Sequence, residues 1–231
     1  MIFNRSLKAG QRKPGRRMFL LAALATGLVS SRASAQEALD PAGLTFRDFA
    51  VNDNGASFTR GDPIIAGGPN QVSSRILGID AANGLARVQF ASIRVDMALP
   101  LGWQATEDWE RGVAYSTDKR FRLIIWRVDF AFEGAKDAEH YAAMKTGSIQ
   151  ARRPTIQARA RKLGDGTFLI VYENVARAQG DSETRQVFDL VMQKPGNPKE
   201  GVLLTLGVPA SQAERGLRLL ALLKRNMTII W

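Results

Sequence analysis

The chain has 231 residues, 45% of them hydrophobic and none of them cysteine, with a formal charge of +10. The missing thiols exclude disulfides, thiolate zinc sites, iron–sulfur clusters and cysteine nucleophiles, so packing alone must hold the fold. The charge is unevenly placed: seven of the 32 basic residues and none of the 22 acidic ones lie before residue 36, which leaves +3 on the rest. That excess is too small for the dense cationic surface that nucleic-acid binding requires, and no nucleic-acid partner is expected.

The first 35 residues have the order of a cleavable export signal. Arg5 to Arg17 form a basic leader, Met18 to Val29 an apolar run, and Ala33-Ser34-Ala35 a small-residue cleavage site before Gln36. Twelve residues as a helix reach about 18 Å, against a hydrocarbon thickness of about 30 Å, so the run is too short to span a bilayer. The predicted cut follows Ala35, with Ala33 and Ala35 as the recognised small residues and the periplasm as destination; the mature chain is expected to have no stable transmembrane span. Gly15-Arg16-Arg17-Met18-Phe19-Leu20 resembles the twin-arginine export motif, with Arg16, Arg17, Phe19 and Leu20 on the motif positions. Gly15 replaces its Ser or Thr, and Leu21 stands where Lys is common. The resemblance implies transient binding to the twin-arginine export machinery; the alternative is an ordinary signal that contains two adjacent arginines.

Residues 36–84 are weakly patterned and predict an N-terminal extension. Asn54-Gly55 favours a tight turn, so Phe46–Val51 and Ser57–Thr59 are expected to pair as a small hairpin. Asn52-Asp53-Asn54-Gly55 is no calcium loop, because Ala50 and Gly61 stand at essential ligand positions. Gly67-Gly68-Pro69-Asn70 lacks the strand-to-helix setting of a phosphate cradle and is expected to be a loop.

From Leu85 the pattern sharpens into one domain over residues 85–231. Arg87–Ser92 and Ile93–Leu99 alternate as short strands that end at Pro100-Leu101-Gly102-Trp103, where Pro100 lacks an amide proton. Trp103 and Trp109 are expected to cap the edge of the core. Arg111–Ser116 predicts a strand, Thr117–Arg120 a turn, and Phe121–Phe130 a central strand that is apolar on both faces. Ile124, Trp126, Val128 and Phe130 fall on one side, Phe121, Leu123 and Ile125 on the other, so covers are expected above and below. A moderately amphipathic helix follows over Gly134–Gln150. Four strands come next: Thr155–Leu163, Phe168–Val175, Arg185–Gln193 and Val202–Val208, with Gly164-Asp165-Gly166 linking the first pair and Lys194–Gly201 the last. Ser211 and Glu214 have capping-box spacing at the start of a final helix with Leu219, Leu220, Leu223 and Met227 on its apolar stripe. Thr228-Ile229-Ile230-Trp231 is too apolar for a solvated tail and is expected to pack on the sheet.

The fold class is therefore α+β, an antiparallel sheet covered by helices, in a single domain with an N-terminal extension. Leu99-Pro100-Leu101-Gly102-Trp103 and this element order, over residues 88–231, resemble the PsbP-like family, an antiparallel sheet between helices. The resemblance implies an α/β/α sandwich and a non-catalytic accessory module that binds partners, and it places no functional residue on a numbered position.

No motif carries covalent chemistry. His140 is the only histidine, so a catalytic triad or H-E-x-x-H zinc site has no complete set, and no G-x-S-x-G elbow, Walker loop, dinucleotide fingerprint or haem motif occurs. Neither catalytic residues, metal ligands nor a cofactor are expected. Glu107, Asp108 and Glu110 cluster near Trp103 and Trp109, a combination that glycoside hydrolysis can use and that solvated loops also show. Arg152, Arg153, Arg159, Arg161 and Lys162 form the one basic concentration after the leader. Arg159, Arg161 and Lys162 make either a docking face for an acidic partner or the charges that guard a sheet edge. The leading expectation is an exported periplasmic binding or assembly module that docks to another envelope protein; the alternatives are an exported hydrolase with a carboxylate site, or a carrier of a small apolar ligand held between sheet and C-terminal helix.

Overall fold

The computed structural model describes residues 43–50, 74–178 and 181–231. The leader, with Arg16, Arg17, Phe19, Leu20, Ala33 and Ala35, lies outside the described residues, as do Ser57–Thr59, the Asn54-Gly55 turn and the Gly67–Asn70 loop.

The first described element corrects an expectation. Phe46–Phe49 is a 3-10 helix and not a hairpin strand: Thr45 N donates to the Asp48 carboxylate at 2.7 Å, and Phe46 and Phe49 are both buried. Their spacing of three matches the 3-10 repeat, which puts both rings on one side. Trp103, fully buried beneath them, donates its indole N–H to the Phe49 carbonyl at 3.1 Å.

Strands β1 (Arg75–Asp80), β2 (Leu85–Phe90) and β3 (Val95–Pro100) form an antiparallel meander. Gly102 takes φ +82° in the turn after Pro100, a conformation that suits only glycine without cost. Then come β4 (Gln104–Glu107), β5 (Arg111–Tyr115), β6 (Arg122–Asp129), helix α1 (Ala138–Arg152), β7 (Gln157–Lys162), β8 (Phe168–Val175), β9 (Arg185–Lys194), β10 (Asn197–Pro209), helix α2 (Ala213–Arg225) and β11 (Met227–Ile229). The four-stranded sheet has order β1-β2-β3-β11 and the seven-stranded sheet β4-β5-β6-β10-β9-β8-β7. All pairs are antiparallel, so the fold is α+β as the pattern implied. The apolar tail does pack on a sheet, as the edge strand β11 beside β3.

One core lies between the large sheet on one side and α2 with the small sheet on the other. Leu123, Ile125, Leu204 and Leu206 meet Leu219, Leu220 and Leu223 from α2, and Val88, Phe90 and Met97 from the small sheet. The second core lies on the opposite face, where Ala138, Tyr141 and Ala142 of α1 cover Phe130, Phe168, Ile170, Tyr172, Val191 and Leu203. The large sheet is thus sandwiched, but not evenly.

Three expectations change here. The middle of the large sheet is β10, not β6, and β6 is fully covered only on its Leu123 and Ile125 face; Ile124 and Trp126 are half-buried because α1 lies over β7 to β10. Ser211 does not cap Glu214. Its amide and hydroxyl both donate to the Glu183 carboxylate, at 2.9 and 2.8 Å, so the helix begins two residues later, after a 3-10 turn at Ala210–Gln212. Trp109 caps nothing, being 66% exposed, while Trp103 lies wholly within the core and not at its edge.

Candidate functional site

The uneven cover leaves a strip of the large sheet open on its α1 face. Register fixes which side chains form it. Arg111 of β5 lies opposite Trp126 of β6, Val113 opposite Ile124, and Tyr115 opposite Arg122; across β6, Ile124 faces Thr205 and Arg122 faces Gly207 on β10. Because alternate residues share a face, these positions make one continuous surface.

Two clefts open on it. One, of about 460 Å³, is aromatic and is lined by Trp109, Trp126, Phe132 and Tyr141 with Glu110, Asp129 and Glu133 among the polar groups. Trp109 and Phe132 are 66% and 88% exposed. The cations at this cleft are already engaged: Arg111 Nε donates to Asp108 at 3.0 Å, and Arg127 donates to the Ile93 and Ile230 carbonyls. The other cleft, of about 500 Å³, has Val113, Tyr115, Ile124 and Val187 along its floor and Lys119, Arg122, Asp181 and Arg185 among its polar groups. Opposite charge therefore dominates the two ends of the strip.

A buried polar centre stands where α1 meets the strip. Asp189, 2% exposed, accepts from the Tyr172 hydroxyl at 3.0 Å, the Thr205 hydroxyl at 2.5 Å and the Lys145 ammonium at 2.9 Å. Lys145 also lies over the Trp126 and Tyr141 rings, 5.9 and 5.7 Å from their centroids. Burial first, then the negative charge of Asp189, pushes the Tyr172 hydroxyl pKa far above its ordinary value. With four groups mutually satisfied, this centre locks α1 in place and fixes the border of the open strip.

The acidic cluster near the tryptophans does not converge. Glu107 is buried on the other face, with one oxygen accepting from the amide and hydroxyl of Ser92 and the second without a partner among the described residues. Asp108 folds back on its own turn. Its burial favours the neutral acid, but donation from the Glu110 and Arg111 amides and the Arg111 side chain outweighs this and holds its pKa below the usual range. Only Glu110 reaches a cleft. Among the described residues no group of three or more His, Asp or Glu side chains is placed to hold a metal ion. His140 sits in the first turn of α1, where its Nδ1 accepts from the Lys136 amide at 3.2 Å and its amide donates to Asp137. Between sheet and α2, where an apolar ligand was weighed, Leu204, Leu206, Leu219 and Leu223 are packed with no exposure.

The basic segment is an edge strand, since β7 ends the large sheet. Arg159 and Arg161 pair in register with Val171 and Leu169, Lys162 with Phe168, so Lys162 projects from the opposite face. Arg159 forms an ion pair with Glu173, Lys162 lies 5.6 Å over the Phe168 ring, and burial lowers the Arg161 pKa.

Phe132, Lys119, Arg122, Lys145, Thr205 and Asp189 belong to no motif in the sequence. Asp189 had a signal: an acid inside Val187-Phe188-Asp189-Leu190-Val191 must find partners, since a buried lone charge is prohibitive. The others had none, because the strip exists only through pairing of distant strands.

No protein-family model matches this chain, and no curated protein matches it in sequence. Solved structures similar in fold include the following two. The Saccharomyces cerevisiae Ran-binding protein Mog1p aligns at 13% identity and a TM-score of 0.44, over 63% of this chain and 95% of its own. Cyanobacterial PsbP from Synechocystis sp. PCC 6803 aligns at 15% identity and a TM-score of 0.44, over 67% of this chain and 95% of its own. The second belongs to the family that the element order resembles. Both alignments describe the arrangement of strands and helices alone.

Proposed function

We propose that the protein is an exported, non-catalytic binding module that docks to another protein of the bacterial envelope through the aromatic end of the open strip. One observation carries the reading: Trp109 and Phe132, two large and strongly exposed apolar side chains, both line a cleft that also holds Trp126. Exposed aromatics around a preformed cleft are the usual anchors of protein interfaces. Glu110, Asp129 and Glu133 beside those rings, with Arg111 and Arg127 already engaged, favour a partner segment that presents Lys or Arg, which the rings and carboxylates would hold together.

The decisive experiment compares the wild-type protein with a Trp109→Ala/Phe132→Ala variant as bait for periplasmic proteins. The reading expects a partner retained by the wild type and lost by the variant at unchanged melting temperature. Equal retention by both would reject this surface.

Export itself rests on the leader pattern, with cleavage after Ala35 and a route through the twin-arginine machinery read by Arg16, Arg17, Phe19 and Leu20. Replacing Arg16 and Arg17 by Lys should stop export by that route; unchanged export means the general secretory pathway is used. No described helix is long and apolar enough to cross a membrane. The β7 edge carries Arg159 and Arg161 on one face and Lys162 on the other, either as a docking face for an acidic partner or as charges that guard the edge. Charge reversal at Arg159 and Arg161 separates docking, which loses binding, from edge protection, which leads to aggregation.

A further inference from the structure

We infer that the cleft at the other end of the strip is a binding site for a small anionic amphiphile, a medium-chain carboxylate, separate from the aromatic docking end. Its volume of about 500 Å³ falls within the range of small-molecule pockets, about 300–1,000 Å³. Its floor is Val113, Tyr115, Ile124 and Val187, all half-buried and on the sheet face that α1 leaves uncovered. An acyl chain laid on that floor would complete the cover that the protein does not supply.

The wall is built, and its Arg185, Asp181 and Thr205 side chains are spent. Arg185, 8% exposed, donates to Asp181 at 2.6 Å, to the Arg120 carbonyl at 2.7 Å and to the Gly207 carbonyl at 3.1 Å. It lies beside Gly207, where no side chain stands in its way. The Thr205 hydroxyl is turned to Asp189. Asp181, the one carboxylate among the described lining residues, is neutralised by Arg185, and that pairing holds its pKa below the ordinary value.

The mouth is different. Lys119 and Arg122 both line it, both are exposed, and neither side chain has a hydrogen bond or ion pair with another described residue. The turn that carries Lys119 is held by its neighbours: the Ser116 hydroxyl donates to Asp118 at 2.5 Å, and the Arg120 and Phe121 amides donate to Asp118 and to the Ser116 oxygen, each at 3.0 Å. Two uncommitted cations, Lys119 on a fixed turn and Arg122 at the start of β6, stand at the edge of an apolar floor; they select a negative head with an apolar tail, and disfavour both a cation and a wholly polar anion.

The test is calorimetric titration of the purified protein with decanoate below its micellar concentration. Saturable one-to-one binding is expected, weakened about tenfold in Lys119→Gln/Arg122→Gln, the loss that goes with one charged hydrogen bond. Decyltrimethylammonium and acetate should fail to compete, and Lys136→Gln/Lys199→Gln, with the same change in net charge away from the cleft, should keep the wild-type affinity. Absence of saturation, equal affinity in the Lys119/Arg122 variant, equal loss in the Lys136/Lys199 variant, or binding of the cationic amphiphile as tight as decanoate would each overturn the assignment. None of these readouts depends on the aromatic end, so the docking proposal stands or falls separately.

Discussion

The ammonium of Lys145 on α1 lies 2.9 Å from Asp189 Oδ2 on β9, and this pair joins the helix to the sheet it covers. Asp189 is nearly solvent-free while Lys145 keeps about a quarter of its exposure, so the two losses are unequal. Lys145→Met leaves a buried carboxylate with only two hydroxyl donors and should cost about 2–3 kcal/mol. Adding Asp189→Asn removes the stranded charge, so the double variant should recover part of that loss. Urea unfolding of the two single variants and the double closes the cycle; strict additivity would mean that the pair is not coupled.

Alkaline pH acts on the same centre. The Tyr172 hydroxyl donates to Asp189 and has its pKa raised above the ordinary 10.0 by burial and by that neighbouring charge. A raised value means that the folded state holds the proton more tightly, so the contribution is complete below pH 10.0 and falls as pH climbs toward the folded value. Denaturation midpoints should therefore drop from about pH 10 upward. Tyr172→Phe should make that limb shallower, the remainder belonging to Tyr141, whose pKa burial also raises; an unaltered limb would assign it elsewhere.

Local pattern carried most of the fold. Period-two alternation located β2, β3, β5, β6, β8 and β9 to within a few residues, and the Leu219, Leu220 and Leu223 stripe located α2. Failures came where a distant partner decided the outcome. Ser211 has the residue type and spacing of a cap, yet Glu183, 28 positions away, takes both of its donors. The β6 strand is apolar on both faces, yet the helix meant to cover it lies over the other half of the sheet, and the gap became the candidate site. Trp109 shows the converse: nothing in its neighbours marks it as the exposed member of the Trp103 and Trp109 pair.

Gly201 and Gly207 on β10 should respond differently to alanine. A Cβ on Gly201 would come within 2.6 Å of the Met192 carbonyl and closer still to the fully buried Phe130 ring, so neither neighbour can yield. Overpacking of that kind costs about 1–3 kcal/mol. At Gly207 the nearest atom is Arg185 Nε at 3.7 Å, an ordinary contact. Gly207→Ala should thus melt close to the wild type while Gly201→Ala melts several degrees lower; equal melting temperatures would contradict the packing on this strand.

The C-terminal strand depends on one arginine. Arg127 of β6 reaches out of the large sheet to donate to the Ile93 carbonyl at 2.9 Å and to the Ile230 carbonyl, with its guanidinium 5.4 Å from the centre of the Trp231 ring. Burial lowers its pKa from the ordinary value, a sign that the charge is retained against a desolvation cost. Ile230 in turn donates its amide to the Arg94 carbonyl at 3.0 Å, closing β11 onto the β2–β3 turn. Arg127→Leu keeps the apolar stem but loses both donations, which should cost about 1–2 kcal/mol. The loss should be local: hydrogen exchange at the Ile230 and Ile229 amides accelerates while the β10 amides keep their protection. Lysine at the same position supplies charge without the forked geometry and should restore little of the protection. If β10 and β11 exchange faster together, Arg127 supports the whole sandwich and not the tail alone.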